Sequence, residues 1–529
     1  MDKHMEGKLA NDPWVVENIP AGTKVVKGKW VFAVTYNDDG SVDEFKARWV
    51  ACGYSEIYGL HYEDTCIGTL NATTARAMFC KAAACKKPVY DVDISKAFTT
   101  ADIDYVLYVQ QPVGFEVGDK TKACRLLKAL EGTKQAGHLF YKKNAAVMTS
   151  MGFKRCDADP CLWYSDMGNG EWIYIGVFVD DLLCLPSSKA TLDKWMADYR
   201  KHFKITGGEE TTKFVGIGVA RNAKTGAISI NQGAYIKRIY DKYMRGKAPS
   251  HTFPIGMGTD GAKRFMELEG ATTDAQKTAM AGRDYLGLIG SLLYVSNMTR
   301  PDVAFHVSFL AQFMSCPTVE TFDAALGVLA YLYKTADVAI TYEHGIQPLD
   351  VPTDPLIDPA EHVRNHGLVV FSDASYGSPR IHGGHVVMLC NGAIAWTSSR
   401  IKVICTSSME SEICAGVAAA KDTKFIRNVT TFLGMRPSTS TPLIVDNEGM
   451  WFNVRNAVLS SRNKHWELWQ HYLRKAYMDL VISIHKTDTD NEWGDVLTKA
   501  IPKVDPKTGK NGKYFYFRNK IMNIKDTVP

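Results

Sequence analysis

The chain has no CxxC pair: Cys156 and Cys161, like Cys80 and Cys85, are separated by four residues. Its 12 cysteines in 529 residues do not make a disulfide scaffold. Structural zinc is therefore not expected, and a reducing cytosolic or nuclear setting is the default. No apolar run approaches the roughly 20 residues that span a bilayer; Trp172–Val179 is among the longest. No charged-then-apolar N-terminal segment reads as a signal peptide. Internal repeats and low-complexity tracts are absent too. Neither sign of charge dominates, with 62 Lys and Arg against 57 Asp and Glu, a net +5. That balance is compatible with a polyanionic partner without demanding one. What remains is ordinary globular material, 46% hydrophobic and 22% charged, long enough for about three or four domains.

Two stretches look like seams. Arg245–Thr273 is rich in Gly with scattered Pro and charge, and Gln347–Asn365 carries Pro348, Pro352, Pro355 and Pro359. They leave a large N-terminal block, a middle helical block and a C-terminal block of about 145 residues, an ordinary domain size. The tail after Pro502, with Lys503, Lys507, Lys510 and Lys513, reads as basic and loose. Trp30–Tyr36, the turn Asn37-Asp38-Asp39-Gly40 and Ser41–Cys52 predict a β-hairpin, because Asp-Gly suits the twist of paired strands. Asn71–Lys86 predicts a helix, and Pro88–Ile94 and Trp172–Val179 predict strands. In the middle block, Tyr285–Asn297 and Val319–Tyr333 predict amphipathic helices. The C-terminal block predicts strands over Gly367–Ala374 and His385–Ser398, then a helix over Ser408–Leu433 and a strand over Pro442–Asp446. Further helices follow, then a strand over Leu480–Lys486 and a helix over Asn491–Lys499. That order implies an α/β layer with carboxylates at strand ends.

Several carboxylates sit where burial would be costly. Asp180 and Asp181 interrupt an otherwise apolar stretch from Tyr174 to Leu185. A tight turn at Val179-Asp180-Asp181-Leu182 would put both at a hairpin tip, where a divalent metal could neutralise them. Taken alone, the pair reads equally as a plain exposed turn. Asp91 and Asp93 share one face of a strand, because strand side chains alternate, and one of them could converge on that tip. Carboxylates from separate elements holding two Mg²⁺ ions (or Mn²⁺) are the apparatus of nucleotidyl transfer. The C-terminal block repeats the theme: Asp373 ends a strand, Glu410 and Glu412 open a helix, Asp446 ends a strand and Asp495 lies in the last helix. Together they predict a second two-metal cluster, with His485 on the preceding loop placed to move protons. A lone loop histidine is otherwise a solvated surface residue.

Ordered motifs then accumulate: Lys29-Trp-Val-Phe, Phe45-Lys-Ala-Arg-Trp-Val-Ala-Cys-Gly-Tyr, Asp93-Ile-Ser-Lys-Ala-Phe98, Gly132-Thr-Lys-Gln-Ala and Phe178-Val-Asp-Asp. They continue with Leu288-Ile-Gly-Ser-Leu-Leu-Tyr, Thr299-Arg-Pro-Asp, Ser407-Ser-Met-Glu-Ser-Glu, Asn463-Lys-His and Asp495-Val-Leu-Thr-Lys. In this order, from Lys29 to Ile501, they resemble the reverse transcriptase–RNase H region of the Pol polyprotein of copia-type LTR retrotransposons. The resemblance implies an α/β (α+β) fold: right-hand fingers and palm over 1–245, a helical thumb and connection over 246–360, and an RNase H-like α/β domain over 361–502. A basic tail, 503–529, would follow.

The resemblance also implies roles. Asp93, Asp180 and Asp181 would be polymerase metal ligands, and Phe98 a steric gate against the 2′-hydroxyl of ribonucleotides. Lys46 and Arg48, on one hairpin face, would pair with the incoming triphosphate, and Gln135 would lie beside the nascent base pair. Asp373, Glu410, Asp446 and Asp495 match an acidic nuclease quartet, and the interval from His485 to Asp495 resembles the histidine loop of retroviral RNase H domains. Departures are Gly137-His138 for the usual Pro-Arg, Phe178 for Tyr, and Gly494 where Ala is usual. The implied partners are an RNA template, a DNA primer, RNA–DNA hybrid and deoxynucleoside triphosphates, with no membrane. The implied setting is cytoplasmic, in virus-like particles, with nuclear access. Protease Asp-Thr/Ser-Gly, zinc-knuckle and integrase His-Cys motifs are missing, and Met1 favours the reading frame of a truncated element over a processed piece. The competing expectation is a catalytically inactive nucleic-acid-binding remnant.

Overall fold

In the strand Tyr90–Ile94 burial alternates: Tyr90, Val92 and Ile94 are buried, while Asp91 and Asp93 on the opposite face are only half-buried. That strand lies inside an antiparallel sheet of six. The order runs Ile205–Glu210, Tyr90–Ile94, Asp181–Pro186, Glu171–Phe178, Leu162–Gly168, Lys154–Arg155. The structure, a computed structural model, describes residues 1–36, 42–65, 67–246, 254, 261–376, 381–456, 467–502 and 513–525. It comprises two compact units, one of Met1–Asn71 with Val89–Glu210 and one of Ala72–Pro88 with Thr211–Pro529.

The first unit holds the six-stranded sheet. Ser188 caps the helix Lys189–Tyr199 by accepting from the Thr191 amide, and that helix buries Trp195 and Tyr199. The Tyr199 hydroxyl donates to Asn144 at 2.6 Å, tying it to the helix Ala136–Ser150. A four-stranded sheet packs Val26, Leu107, Val109 and Leu126 with Ala51 and Leu130. Gly28–Tyr36 and Val42–Ala51 pair antiparallel as the expected hairpin; its Asn37–Gly40 turn lies outside the described residues.

The second unit is built on a mixed five-stranded sheet, ordered Gly392–Arg400, His382–Leu389, Val369–Ala374, Thr441–Val445, Ile482–Lys486. The last two strands run parallel to Val369–Ala374, and the first pairings are antiparallel. The helix Ser408–Phe432 packs on this sheet through Ile413, Val417, Ala420 and Ile426. The middle helices appear as Tyr285–Met298 and Val319–Lys334. Among the described residues no helix is long and apolar enough to cross a membrane.

The packing departs from the seams at 245 and 360. Helix Ala72–Cys85 belongs to the second unit, because its buried Arg76 donates to the carbonyls of Ile394, Asn297 and Met298 at 2.6, 3.1 and 3.0 Å. The guanidinium also lies 4.2 Å from the Trp396 ring. The proline-rich stretch is stitched to a sheet edge, where Asp354 and Lys486 exchange two backbone hydrogen bonds of 2.8 Å. Nor is the C-terminal segment uniformly loose: Lys513–Met522 is a helix that buries Tyr514, Phe517, Ile521 and Met522. The Tyr514 hydroxyl donates to the Asp302 carbonyl at 3.0 Å. Four apolar side chains at helical spacing outweigh the basic composition that suggested a tail.

Candidate active sites

In the first unit, Phe178 and Asp181 close a hairpin whose two turn residues are Val179 and Asp180. The turn therefore lies one residue earlier than expected, and Asp181 is already the first residue of the next strand. Val179 has φ 58°, a left-handed conformation that costs a β-branched residue about 1–2 kcal/mol. Asp181 stands directly opposite Asp93, so the two side chains share a face, and Asp91 is opposite Leu183. The Ile94 amide donates to the Asp180 carbonyl at 2.9 Å, fastening the turn to the end of the Asp93 strand. Burial, then the neighbouring Asp180 and Asp93, push Asp181 up to about 6. Burial and Asp180 also raise Asp93, against the Thr206 hydroxyl and the Lys46 ammonium. The charges of Asp93, Asp180 and Asp181 act on one another and suit hard divalent cations, although among the described residues only acids of the second unit bring three carboxylate oxygens within 4.8 Å.

Lys46 and Arg48 share a hairpin face opposite Ala33 and Val31. Lys46 reaches Glu44 at 3.7 Å and is close enough for its charge to act on Asp93. Phe98 opens a short 3₁₀ turn just after the Asp93 strand, half-buried, with its ring edge-on to Phe140 at 6.3 Å. Gln135 is only 7% exposed. Its Oε1 accepts from the Glu63 amide at 2.8 Å and its Nε2 donates to Asp104 at 3.4 Å, so the amide is occupied within its own loops. His138 faces Asp64 at 3.3 Å.

In the second unit, Asp373, Glu412 and Asp446 each offer a carboxylate oxygen within 4.8 Å of the other two. They come from the strand Val369–Ala374, the first turns of the helix Ser408–Phe432, and the residue after the strand Thr441–Val445. Glu412 is 4% exposed and its Oε2 has no hydrogen-bond partner. Burial, then Asp373 and Asp446, raise Glu412 well above the usual carboxylate range. Asp446 is raised by burial and Asp373, although the Thr489 hydroxyl donates to it at 2.8 Å. A buried triad with an unsatisfied oxygen fits an oxygen-ligated divalent ion.

Residues 11–256 match the family described as reverse transcriptase (RNA-dependent DNA polymerase). Over that stretch the chain carries a reverse transcriptase domain. Relatives that match over 95% of the chain are Pol polyproteins of plant copia-type transposons. The Pol polyprotein from transposon TNT 1-94 of Nicotiana tabacum is 26% identical over 504 residues, 95% of this chain and 36% of that protein. The Pol polyprotein from transposon RE1 of Arabidopsis thaliana is 27% identical over 509 residues, 95% of this chain and 32% of that protein. The chain thus spans about a third of the length of these relatives. A solved foamy viral protease-reverse transcriptase in complex with dsDNA is similar with a TM-score of 0.43 and 12% identity. That likeness covers 90% of this chain and 80% of the foamy viral one.

In the second unit, the structure places two expected residues differently. Glu410 is not in the acid triad. Its carboxylate turns back to accept from the Thr406 amide at 2.5 Å and from the Thr406 hydroxyl, while Ser407 accepts from the Glu410 amide. Ser407-x-x-Glu410 has the spacing of a capping box, the signal that could have separated it from Glu412. His485 is not on a loop but in the edge strand Ile482–Lys486. Its Nδ1 donates to the Pro355 carbonyl at 2.6 Å and its Nε2 accepts from Ser483 at 2.9 Å, so both nitrogens of a neutral ring are used. Burial holds it below the ordinary histidine range. Asp495, in the buried 3₁₀ turn Trp493–Leu497, is brought as expected against Asp373, with which its carboxyl shares a hydrogen bond.

Around the C-terminal acids stand groups the sequence did not single out. Lys499 Nζ lies 2.5 Å from Asp495, and the Thr498 hydroxyl donates to Asp373. Burial, then Asp373, push Asp495 up to about 7, against Lys499. Glu492 is fully buried, accepts from the Gly494 amide at 2.9 Å and is strongly raised by burial and Asp373. Gly494 is explained by closeness: a Cβ there would come within 2.9 Å of Glu492 and 3.1 Å of the Asp373 backbone. The Asn463-Lys-His motif lies outside the described residues.

Proposed function

We propose that the chain is an RNA-directed DNA polymerase in its first unit and a ribonuclease H in its second, both dependent on divalent cations. The observations that carry this reading are Asp93 directly opposite Asp181, next to Asp180, in one unit, and the close triad of Asp373, Glu412 and Asp446 in the other. Asp93, Asp180 and Asp181 would hold Mg²⁺ or Mn²⁺ in the first, and Asp373, Glu412 and Asp446 in the second. Bound there, such ions would neutralise the acids and polarise phosphodiester oxygens, toward a primer hydroxyl in one unit and water in the other.

The chain's own side chains do the rest. Lys46 and Arg48 present two cations on one hairpin face to a triphosphate. Phe98 lies just beyond the Asp93 strand, where an aromatic face against C2′ leaves no room for a ribose hydroxyl. Primer, RNA template and deoxynucleoside triphosphates are the substrates of the first unit, and the RNA strand of a hybrid, marked by its 2′-hydroxyls, is that of the second. The test is primer extension on an RNA template by the parent and by Asp180→Asn/Asp181→Asn. The parent is expected to extend; the double variant should not, yet should still cleave RNA in a hybrid. A folded parent that neither extends nor cleaves would make the chain the inactive remnant.

A further inference from the structure

A cavity of about 490 Å³ in the first unit is lined by Lys96, Lys128, Lys143, His202 and Lys204, and among its described lining residues none is acidic. Its size is that of a small-ligand site, yet its chemistry is cationic rather than apolar. Ser95 and Lys96 directly follow the strand Tyr90–Ile94, so the cavity borders the segment that carries Asp93. The fold sets these cations together. The Ser95 amide donates to the Lys204 carbonyl at 2.9 Å, which bonds the two loops bearing Lys96 and Lys204 to each other. Lys96 has φ 56°, a left-handed backbone that most side chains avoid, and its carbonyl accepts from the Thr99 hydroxyl at 3.1 Å. Half-buried Lys143 donates to the Thr100 carbonyl at 2.5 Å. Burial, then Lys204, lower Lys96, and burial, then Lys128, lower Lys143, so the ammoniums repel one another. Two acids outside the lining answer part of this charge. Asp102 pairs with Lys128 at 2.5 Å and acts on Lys143, while Glu131 acts on Lys96 but is itself bonded to Lys8 at 2.7 Å. The balance stays positive.

We propose that this cavity is a binding site for a free oligophosphate, an anion with two or three adjacent phosphoryl groups, distinct from both carboxylate sites. Such an anion gathers several negative charges in one small molecule, and four separate segments of the chain each bring a lysine to meet it. Ammoniums act as compact point charges toward phosphate and need no fixed fork geometry. A bound phosphate chain replaces repulsion among the lysines by attraction, whichever way the carboxylate sites act. A concave site of this size favours a small anion over an extended strand, whose backbone needs a groove along which to lie.

Isothermal titration calorimetry with inorganic tripolyphosphate, in EDTA and about 50 mM salt, compares two whole chains. Both carry Lys46→Gln/Arg48→Gln, which removes the cations assigned to an incoming triphosphate. One also carries Lys96→Asn/Lys204→Gln, Asn being tolerated at a left-handed position. The first chain should bind, and the second should bind at least about 10-fold more weakly. A smaller loss, or no binding by the first chain, overturns the proposal. Single-stranded oligo(dT) is titrated in parallel. A larger loss for tripolyphosphate than for the oligonucleotide supports the proposal, whereas a larger loss for the oligonucleotide assigns the cavity to a strand and overturns it. Melting curves restrict the comparison to folded protein. Should the paired change not fold, Lys204→Gln alone, at an exposed position, should weaken tripolyphosphate at least about 3-fold, and a smaller loss there overturns the proposal.

Discussion

Replacing Glu412 by Gln removes one charge from the C-terminal triad and almost nothing else. The three carboxylate oxygens lie within 4.8 Å of one another. At an effective dielectric of about 20, each like-charged pair at that separation repels by about 3.5 kcal/mol. Ionising Glu412 beside Asp373 and Asp446 adds two such pairs, about 7 kcal/mol, before burial is counted. Without a cation this repulsion and burial favour the protonated carboxyl, in line with its raised pKa. A carboxyl raised on folding stabilises the fold fully below its unfolded pKa, near 4, and loses that stability as pH rises through the folded value. Asp495, pushed to about 7, adds to the same slope. Scanning calorimetry of the metal-free parent should show the second unit's melting temperature falling from about pH 5 to about pH 8. Mg²⁺ should restore it at the upper end by binding the folded state. In Glu412→Gln the slope should flatten, the Mg²⁺ effect should shrink, and cleavage of labelled RNA in a hybrid should fall at least about 100-fold. Glu410→Gln weakens the Thr406 contacts, should cost about 1 kcal/mol and should leave cleavage near the parental rate. Loss of cleavage in Glu410→Gln with retention in Glu412→Gln would refute the reasoning.

Further outcomes follow from other parts of the structure. Arg300 and Asp302 form a fully buried bidentate pair with contacts of 2.9 and 2.7 Å; Arg300→Leu strands the carboxylate and should destabilise the second unit by about 3–5 kcal/mol in denaturant melts. A loss under about 1 kcal/mol would contradict that. Phe98→Val should raise ribonucleotide incorporation at least about 10-fold relative to deoxyribonucleotides in primer extension; an unchanged ratio removes Phe98 as the gate. Because Asp181 is raised to about 6, protons compete with cations there. The Mg²⁺ concentration for half-maximal extension should climb as pH falls from about 8 to about 6, and a flat requirement would count against cation binding at Asp181.

Much of this was legible in the sequence, for identifiable reasons. The period-two placing of Asp91 and Asp93 fixed their shared face, and the apolar run before Asp180 marked a strand ending in a turn. Only the turn's register was off by one residue, because a left-handed Val179 is not something a β-branched residue advertises. The acids at the ends of Val369–Ala374 and Thr441–Val445 were equally visible. The choice between Glu410 and Glu412 turned on helix capping, a local signal that was present in Ser407-x-x-Glu410 but outweighed by motif spacing. His485 was misplaced because its partner, the Pro355 carbonyl, comes from a proline-rich stretch taken for a seam. Assigning helix Ala72–Cys85 to the second unit depends on carbonyls some 220 and 320 residues away, which no local pattern reports. The same holds for the C-terminal helix, whose buried face carries only four apolar side chains between lysines.

The most direct measurement supplies one duplex carrying a labelled DNA primer on a differently labelled RNA template, with Mg²⁺ and deoxynucleotides, and follows both strands in the same reaction. The parent should lengthen the primer and shorten the RNA. Asp93→Asn should stop only the first change and Glu412→Gln only the second. If either single substitution abolished both, or if neither abolished anything, two separate carboxylate sites acting on phosphodiesters could not be the basis of this protein's chemistry.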